Sequence, residues 1–500
     1  MKTNKNIKNI VYTVLGQIIV LGLALIVPRF ILSGYGSDAN GLLSTVGQIV
    51  AYMALLEAGI GQAARNELYH FVQGNDLDRQ KISSVMSVSR KAYRYVTKIY
   101  ALFVILLALV LPFVIKTDID HVTVSLIILI EGTAGVISFF FVQNHTNLLI
   151  VDGKQYVNSN VDMLFKSLNY VIKIAMVLLG VNIVLMEIGY LAAVVIKILI
   201  YERYMRTHYD WVDYKSVDDQ VKLKDRGPYV ITEVAWTVFS STDMIVISVF
   251  CSTKSSSVYA IYYLVFMTIN RLADALFTSL KFNLGQAYHK STESYGSTHD
   301  MFNSVFFGLI SALLIVAYYL CIPFVSLYTA GISDADYIDN ALPMCFCLML
   351  LLSWSRMVSE HLIGVAGFAK RLSTVSIVEV VANIALSVIL VNGFGVRGVL
   401  YATVIALPLK AVYCNVLADK VIMKRSLFPT AKIFFANLLL FVLLAVCRNY
   451  LTIEISSYAE LLIYGAVFTV CSVAVFLLVN LLMNRNMFSA VKRFLPGKKT

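Results

Sequence analysis

Apolar residues run through this chain in long, nearly unbroken blocks. A helix crossing the roughly 30 Å hydrocarbon core of a bilayer needs about 20 mostly apolar residues. Fourteen blocks are long enough, at roughly 10–32, 40–62, 97–115, 122–149, 158–180, 183–203, 228–250, 256–281, 301–327, 340–366, 372–392, 398–418, 432–450 and 459–483. In hydrocarbon the backbone must bond to itself, so the pattern predicts an all-α polytopic membrane protein with about 14 transmembrane helices. The first block is too long for a signal-peptide core and reads as the first membrane helix. The longer polar intervals, near 63–97, 204–227 and 282–300, leave no room for a soluble domain.

Composition agrees with this reading. Of the 500 residues, 59% are hydrophobic and 14% charged, against about 25% charged in soluble domains. The net charge of +11 would suggest nucleic acid in a soluble protein, but here its distribution marks topology. With the N-terminus in the cytoplasm and sides alternating, 30 of the 41 Lys and Arg fall inside. Five fall outside: Arg29, Lys116, Lys254, Arg397 and Arg448. Both termini are therefore expected in the cytoplasm, and no nucleic-acid partner is expected. The blocks divide into an N-lobe at 1–203 (six helices), a basic cytoplasmic linker at 204–227 and a C-lobe at 228–418 (six helices). Two further helices and a basic tail occupy 419–500. Paired repeats around a midplane site are the architecture of many secondary transporters.

Familiar soluble chemistry is missing. No G-x-x-x-x-G-K-[ST], HExxH or GxSxG occurs, so no nucleotide cofactor, metal or enzymatic nucleophile is expected. The seven cysteines show no CxxC and lie mostly in apolar runs, so neither zinc nor a disulfide framework is expected. Gly393-Phe-Gly395-Val-Arg-Gly398 matches G-x-G-x-x-G but sits between two membrane helices, without the strand that a dinucleotide site requires. The outer loop bearing Asp334, Asp336 and Asp339 reads as solvated.

Charges within the apolar blocks are the informative residues, because each costs about 2.5–3.5 kcal/mol at mid-bilayer and needs a partner or a hydrated cavity. Helix 5 carries Asp162, Lys166, Asn169 and Lys173 at steps of 4, 3 and 4, all on one face. Helix 7 carries Glu233, Trp236, Ser240 and Asp243, and helix 8 carries Arg271, Asp274, Thr278 and Lys281, each at steps of 3, 4 and 3. Asp162 is expected to pair with Lys166, and Arg356 with Glu360 in helix 10. Glu57, Glu131, Lys197, Glu379 and Lys410 read as single charges. Three polar stripes imply a hydrated central cavity. Arg271 and Lys173 are expected to face it, with Asp274 beside Arg271. Lys166, Lys197 and Lys410 either face the cavity or snorkel toward the cytoplasm. Two cations on different helices suit an anionic ligand, with arginine supplying a fork and lysine a point charge.

Three stretches resemble one family. The first is Pro28-Arg-Phe-Ile-Leu-Ser-Gly-Tyr-Gly36, then Gly41-Leu-Leu-Ser-Thr45 and Leu56-Glu-Ala-Gly-Ile-Gly61. The second is Thr242-Asp243-Met-Ile-Val-Ile-Ser248 with Val258-Tyr259-Ala-Ile-Tyr262. The third is Gly393-Phe-Gly-Val-Arg-Gly398-Val-Leu-Tyr-Ala402-Thr. In order and spacing they are similar to the polysaccharide transporter family, the lipid-linked oligosaccharide and O-antigen-type flippases of the multidrug/oligosaccharidyl-lipid/polysaccharide exporter superfamily. The chain departs from the family's pattern at Gly36-Ser-Asp-Ala-Asn-Gly41.

The resemblance implies an alternating-access flippase, not an enzyme, in the bacterial cytoplasmic membrane. Its substrate would be an undecaprenyl (di)phosphate-linked oligosaccharide, moved from the inner to the outer leaflet for surface polysaccharide biosynthesis. A polysaccharide polymerase and glycosyltransferases are the implied partners. Cations on the family's helices 1 and 8 would map to Arg29 and Arg271. The buried carboxylates Asp243 and Glu57 would couple transport to an ion gradient. An ion-coupled drug or cation exporter of the same superfamily is the first alternative, but it calls for an acid-dominated cavity. A polysaccharide polymerase is the second, and it calls for a large outer loop or a catalytic cluster.

Overall fold

The computed structural model describes residues 2–53, 55–73, 76–215, 227–290, 295–450 and 454–484, almost all of them helical. Within these residues nine helices are long and apolar enough to cross a membrane. The chain divides into two compact units, Met1–Ser257 and Val258–Thr500.

The first unit contains α1 (Lys2–Met53), α2 (Leu55–Phe71), α3 (Arg79–Val114), α4 (His121–Val151), α5 (Gln155–Leu178), α6 (Ile183–His208) and α7 (Gly227–Phe250). A two-residue antiparallel bridge, Val72–Gln73 with Asp76–Leu77, turns the chain between α2 and α3. By contacts α7 groups with α1 and α2, so the boundary falls after α7 rather than in the 204–227 interval. Polar residues start the helices: Asp78 caps α3, Asp120 caps α4 and Asn182 caps α6, each accepting from a backbone N–H three residues on. Those bonds hold the Asp120 carboxyl below the usual carboxylate range. Among the described residues, two of the buried apolar clusters each join several helices. One joins Val27, Ile31, Leu42 and Val46 to Ile127 and Met186. The other joins Leu68, Ile82 and Met86 to Leu149, Tyr201 and Met205.

The second unit holds most of α8 (Thr253–Lys290), then α9 (Tyr295–Tyr328), α10 (Leu342–Trp354), α11 (Met357–Val365), α12 (Ala369–Val416), α13 (Phe428–Cys447) and α14 (Tyr458–Met483). A π-helical turn, Leu417–Ile422, ends α12. The last two helices pack on α9 around a buried amide pair. Asn437 and Asn480 each donate to the other's side-chain oxygen, at 3.0 and 2.8 Å, in space left by Gly308.

Two helices are broken by glycine. In α1 the break is at Gly36 (φ 83°, ψ 178°), and in α12 at Gly395 (φ 56°, ψ −134°). A side chain is strongly disfavoured in this part of conformational space. The G-x-G-x-x-G match is thus a helix-to-helix corner with no strand before it.

Asn480→Leu should lower thermal stability by about 1–3 kcal/mol, because Asn437 is left buried with unmet polar atoms. The Asn437→Leu/Asn480→Leu double variant should recover much of that loss. Thermal unfolding in detergent, followed by size-exclusion chromatography, measures both.

Candidate functional site

The hairpin of α5 and α6 sets the polar chemistry of the first unit. Gly180 (φ 66°) turns the chain, and residues equidistant from the turn face each other. Lys173, seven residues before Gly180, pairs at 2.8 Å with Glu187, seven residues after it. Asp162 and Lys197, farther down the same hairpin, pair at 2.7 Å. Asp162 therefore turns to α6 and not to Lys166. Glu187 is fully buried, and its Oε2 has no hydrogen-bond partner among the described residues. Glu131 of α4 is also buried and close enough to interact electrostatically with both Lys173 and Glu187. The sequence reading passes over Glu187, which sits one turn from the end of its helix. The symmetry of the hairpin about Gly180 is the signal that locates it.

Lys166 is different. It is exposed and has no ion pair or hydrogen bond among the described residues. The exposed apolar residues of α5, Leu164, Val171 and Leu178, lie on the other side of the helix, roughly 160° from the Asp162–Lys173 stripe at 100° per residue. The helix thus has a packed face, an apolar exposed face and a separate polar face. A lipid-facing position does not account for Lys166.

Helix α8 repeats this arrangement in the second unit. Ala273 and Phe277 are buried, and the Trp354 indole of α10 donates to Asn270 at 2.8 Å, which fixes the rotation of the helix. Leu272 and Leu276 are the exposed apolar residues. Arg271, Asp274 and Thr278 are exposed as well, with Arg271 roughly 120° around the helix from the apolar pair. Asp274 is 3.9 Å from Lys281. Arg271 has no ion pair or hydrogen bond among the described residues.

The other singled-out charges have structural settings. Arg356, 1% exposed, bonds Glu360 at 3.2 Å and Glu379 at 2.5 Å. Lys410 bonds Glu360 at 2.8 Å and lies 3.9 Å from Glu379. Glu379 and Lys410, read from the sequence as single charges, complete a balanced four-residue cluster that joins α11 to both parts of α12. Asp339 accepts from Arg397 at 2.8 Å, which ties down the acidic loop before α10. Arg29 is half-buried in α1, before the Gly36 break. Asp243 is buried in α7, beside Thr242, whose hydroxyl is 2.6 Å from that of Tyr52. Glu57 lies on α2, and its side chain is outside the described residues, as are those of Glu233, Trp236 and Ser240.

The segment that departs from the family pattern has a role that the sequence did not reveal. Just past Gly36, the Asp38 carboxylate accepts from Thr117 Oγ1 (3.1 Å), Asp118 N–H (2.6 Å) and Thr253 Oγ1. Asn40 donates to Ser257 at 2.8 Å, and Lys254 pairs with Asp118 at 2.6 Å. Helix α1, the α3–α4 loop and the α7–α8 corner are fastened together there.

Arg356→Met should cost about 3–5 kcal/mol of stability, since two buried carboxylates then share one lysine. Thermal melts of the purified protein measure it, and adding Glu379→Met should return most of the loss.

No protein-family profile and no curated protein matches the sequence. Solved structures do. An inward-facing multidrug resistance MATE family transporter of the MOP superfamily aligns with TM-score 0.63 and 14% identity, over 86% of this chain and 98% of its own. The lipid II flippase MurJ, in an inward closed conformation, aligns with TM-score 0.62 and 13% identity, over 96% and 100%. The MATE multidrug transporter DinF-BH aligns with TM-score 0.57 and 16% identity, over 82% and 94%. The chain shares its fold with these solved transporters.

Proposed function

We propose that the chain is a lipid flippase working by alternating access. It carries an undecaprenyl (di)phosphate-linked oligosaccharide from the inner to the outer leaflet of a bacterial cytoplasmic membrane. The observation that carries this reading is the pair of exposed cations without partners among the described residues, Arg271 on α8 and Lys166 on α5, each on a polar stripe and off the stripe of its helix's exposed apolar residues. An anionic headgroup meets such faces with charge-assisted bonds, whereas a cationic drug would be repelled. The wider coverage of the lipid flippase, 96% of this chain against 86% for the MATE transporter, favours the same reading. If α1–α2 and the broken α12 each count as two rods and α10–α11 as one, the helices number fourteen. This supports the expected fourteen crossings, and on the same reading we place both termini in the cytoplasm.

In this mechanism Arg271 of the second unit offers a phosphate a fork, and Lys166 of the first unit offers an anionic group a point charge. Asp274, held toward Lys281, leaves Arg271 free for the ligand. Arg29 and Lys173 contribute to the field of the cavity, with Lys173 acting through its bond to Glu187. No nucleotide-binding motif is present in the sequence, so the driving energy comes from an ion gradient, the membrane potential or consumption of the glycan. Asp243 and Glu57 remain coupling candidates. The Glu131–Lys173–Glu187 cluster is a third, because it holds one carboxylate more than it has cations, and uptake of a proton or monovalent cation balances it.

Arg271→Ala should slow flipping on the order of 10–100-fold, the worth of one charge-assisted bond, while insertion and thermal stability stay unchanged. Arg271→Lys should restore only part. The assay is accumulation of lipid-linked oligosaccharide on the cytoplasmic leaflet, read with a membrane-impermeant probe in a deletion strain carrying each variant. Wild-type flipping by Arg271→Ala would end this assignment. Absence of any lipid-linked intermediate, together with altered sensitivity to small cationic compounds, would transfer the protein to the drug-exporter reading.

Glu131→Gln removes the excess carboxylate and should flatten the pH dependence of flipping while leaving the protein stable. An unchanged pH profile in proteoliposomes removes the cluster from coupling.

A further inference from the structure

Helix α3 is longer than a membrane crossing requires. Its 36 residues span about 54 Å at 1.5 Å each, against a hydrocarbon core of roughly 30 Å. Between Arg79 and Val114 it carries six cations and no carboxylate. Three of the six have partners within the protein. Arg79 lies over the Trp211 ring at 5.4 Å, Lys81 is 3.7 Å from Asp78, and Arg90 lies over the Tyr214 ring at 4.5 Å.

The other three, Lys91, Arg94 and Lys98, are exposed and have no ion pair or hydrogen bond among the described residues. Their positions are not scattered around the helix. Lys91, Arg94 and Lys98 lead at steps of 3 and 4 into Leu102, Ile105, Leu109 and Phe113, which are 59, 50, 64 and 76% exposed. One continuous stripe therefore runs from bare hydrocarbon side chains to bare cations. Tyr95, 68% exposed, adjoins the cations on this stripe, as is usual for a tyrosine at a membrane interface.

Depth along the helix specifies the ligand. Measured from Val114, Lys98 lies about 24 Å away, Arg94 about 30 Å and Lys91 about 35 Å at the helical rise. The three cations thus bracket the hydrocarbon boundary at the N-terminal end of α3, where lipid phosphates sit. The aliphatic stem of a lysine reaches along such a boundary while its ammonium stays at headgroup level.

We propose that Lys91, Arg94 and Lys98 form a docking site for anionic phospholipid headgroups, whose acyl chains lie along the Leu102–Phe113 stripe. In the topology proposed above this is the cytoplasmic leaflet. The inference rests on that reading only for the name of the leaflet. Lipid retention is measured without any flipping, so the two ideas fail separately.

The test is native mass spectrometry of the full-length protein in detergent, titrated with phosphatidylglycerol or phosphatidylcholine. The wild type should retain phosphatidylglycerol in preference to phosphatidylcholine, and added salt should weaken it. The Lys91→Gln/Arg94→Gln/Lys98→Gln variant should bind phosphatidylglycerol on the order of 100-fold more weakly, from about fivefold per cation. Lys91→Arg/Lys98→Arg should bind like the wild type. A control with equal charge loss elsewhere, Lys370→Gln/Arg371→Gln/Lys420→Gln, should retain the lipid. If the first triple variant does not purify, Arg94→Gln alone should show a loss of about fivefold. Unchanged binding in the α3 variants, equal loss in the control, or equal retention of the two lipids overturns the proposal.

Discussion

Charge buried among apolar helices needs compensation close by, and this constraint organises both halves of the molecule. In the first unit, α5 and α6 carry complementary charges at matched distances from their turn, so Asp162–Lys197 and Lys173–Glu187 form as the hairpin closes. A one-residue slip rotates a helix face by about 100° and separates both pairs, so the two ion pairs fix register as well as neutralising charge. In the second unit, Arg356, Glu360, Glu379 and Lys410 do the same for α11 and α12. Pairs of this kind contribute little net stability over well-packed apolar residues, but removing one partner is expensive. Their value here is to define which helix faces meet.

Once those charges are satisfied, the remaining ones stand out. Lys166 and Arg271 share their helices with neighbours that hold the rotation firmly: Lys173–Glu187 on one side, and Asn270–Trp354 with buried Phe277 on the other. Each cation is thereby held roughly 120–140° around its helix from the exposed apolar residues. A cation that merely snorkelled would continue the apolar stripe, as Lys98 does on α3. The contrast between α3 on one side and α5 and α8 on the other is what the two proposals rest on.

The two glycine breaks belong to this scheme. Gly36 and Gly395 let one continuous run of helix kink with no loop. Just past the kink at Gly36, Asp38 and Asn40 meet the α3–α4 loop and the α7–α8 corner. The stretch where the sequence departs from the family pattern is thus a fastening point, and its polar residues are explained by the hydrogen bonds they make.

Much of this was legible in the sequence. Block length and hydropathy determined an all-helical membrane protein, because a helix in hydrocarbon satisfies its own backbone and needs only local information. The steps of 3 and 4 placed the polar stripes on α5 and α8 correctly, since that periodicity is local too. The partners were a different matter. Asp162 could reach Lys166 within its own helix, yet the structure gives it to Lys197, and Glu379 and Lys410 find Arg356 and Glu360 across three segments. Which charge meets which depends on how neighbouring helices are rotated against one another, and that is set by packing between residues far apart in the chain. The hairpin of α5 and α6 is the intermediate case, where a short turn converts sequence distance into spatial facing. Periodicity therefore identified the polar faces, and only the tertiary structure decided which of their charges were engaged and which were left without an ion pair among the described residues.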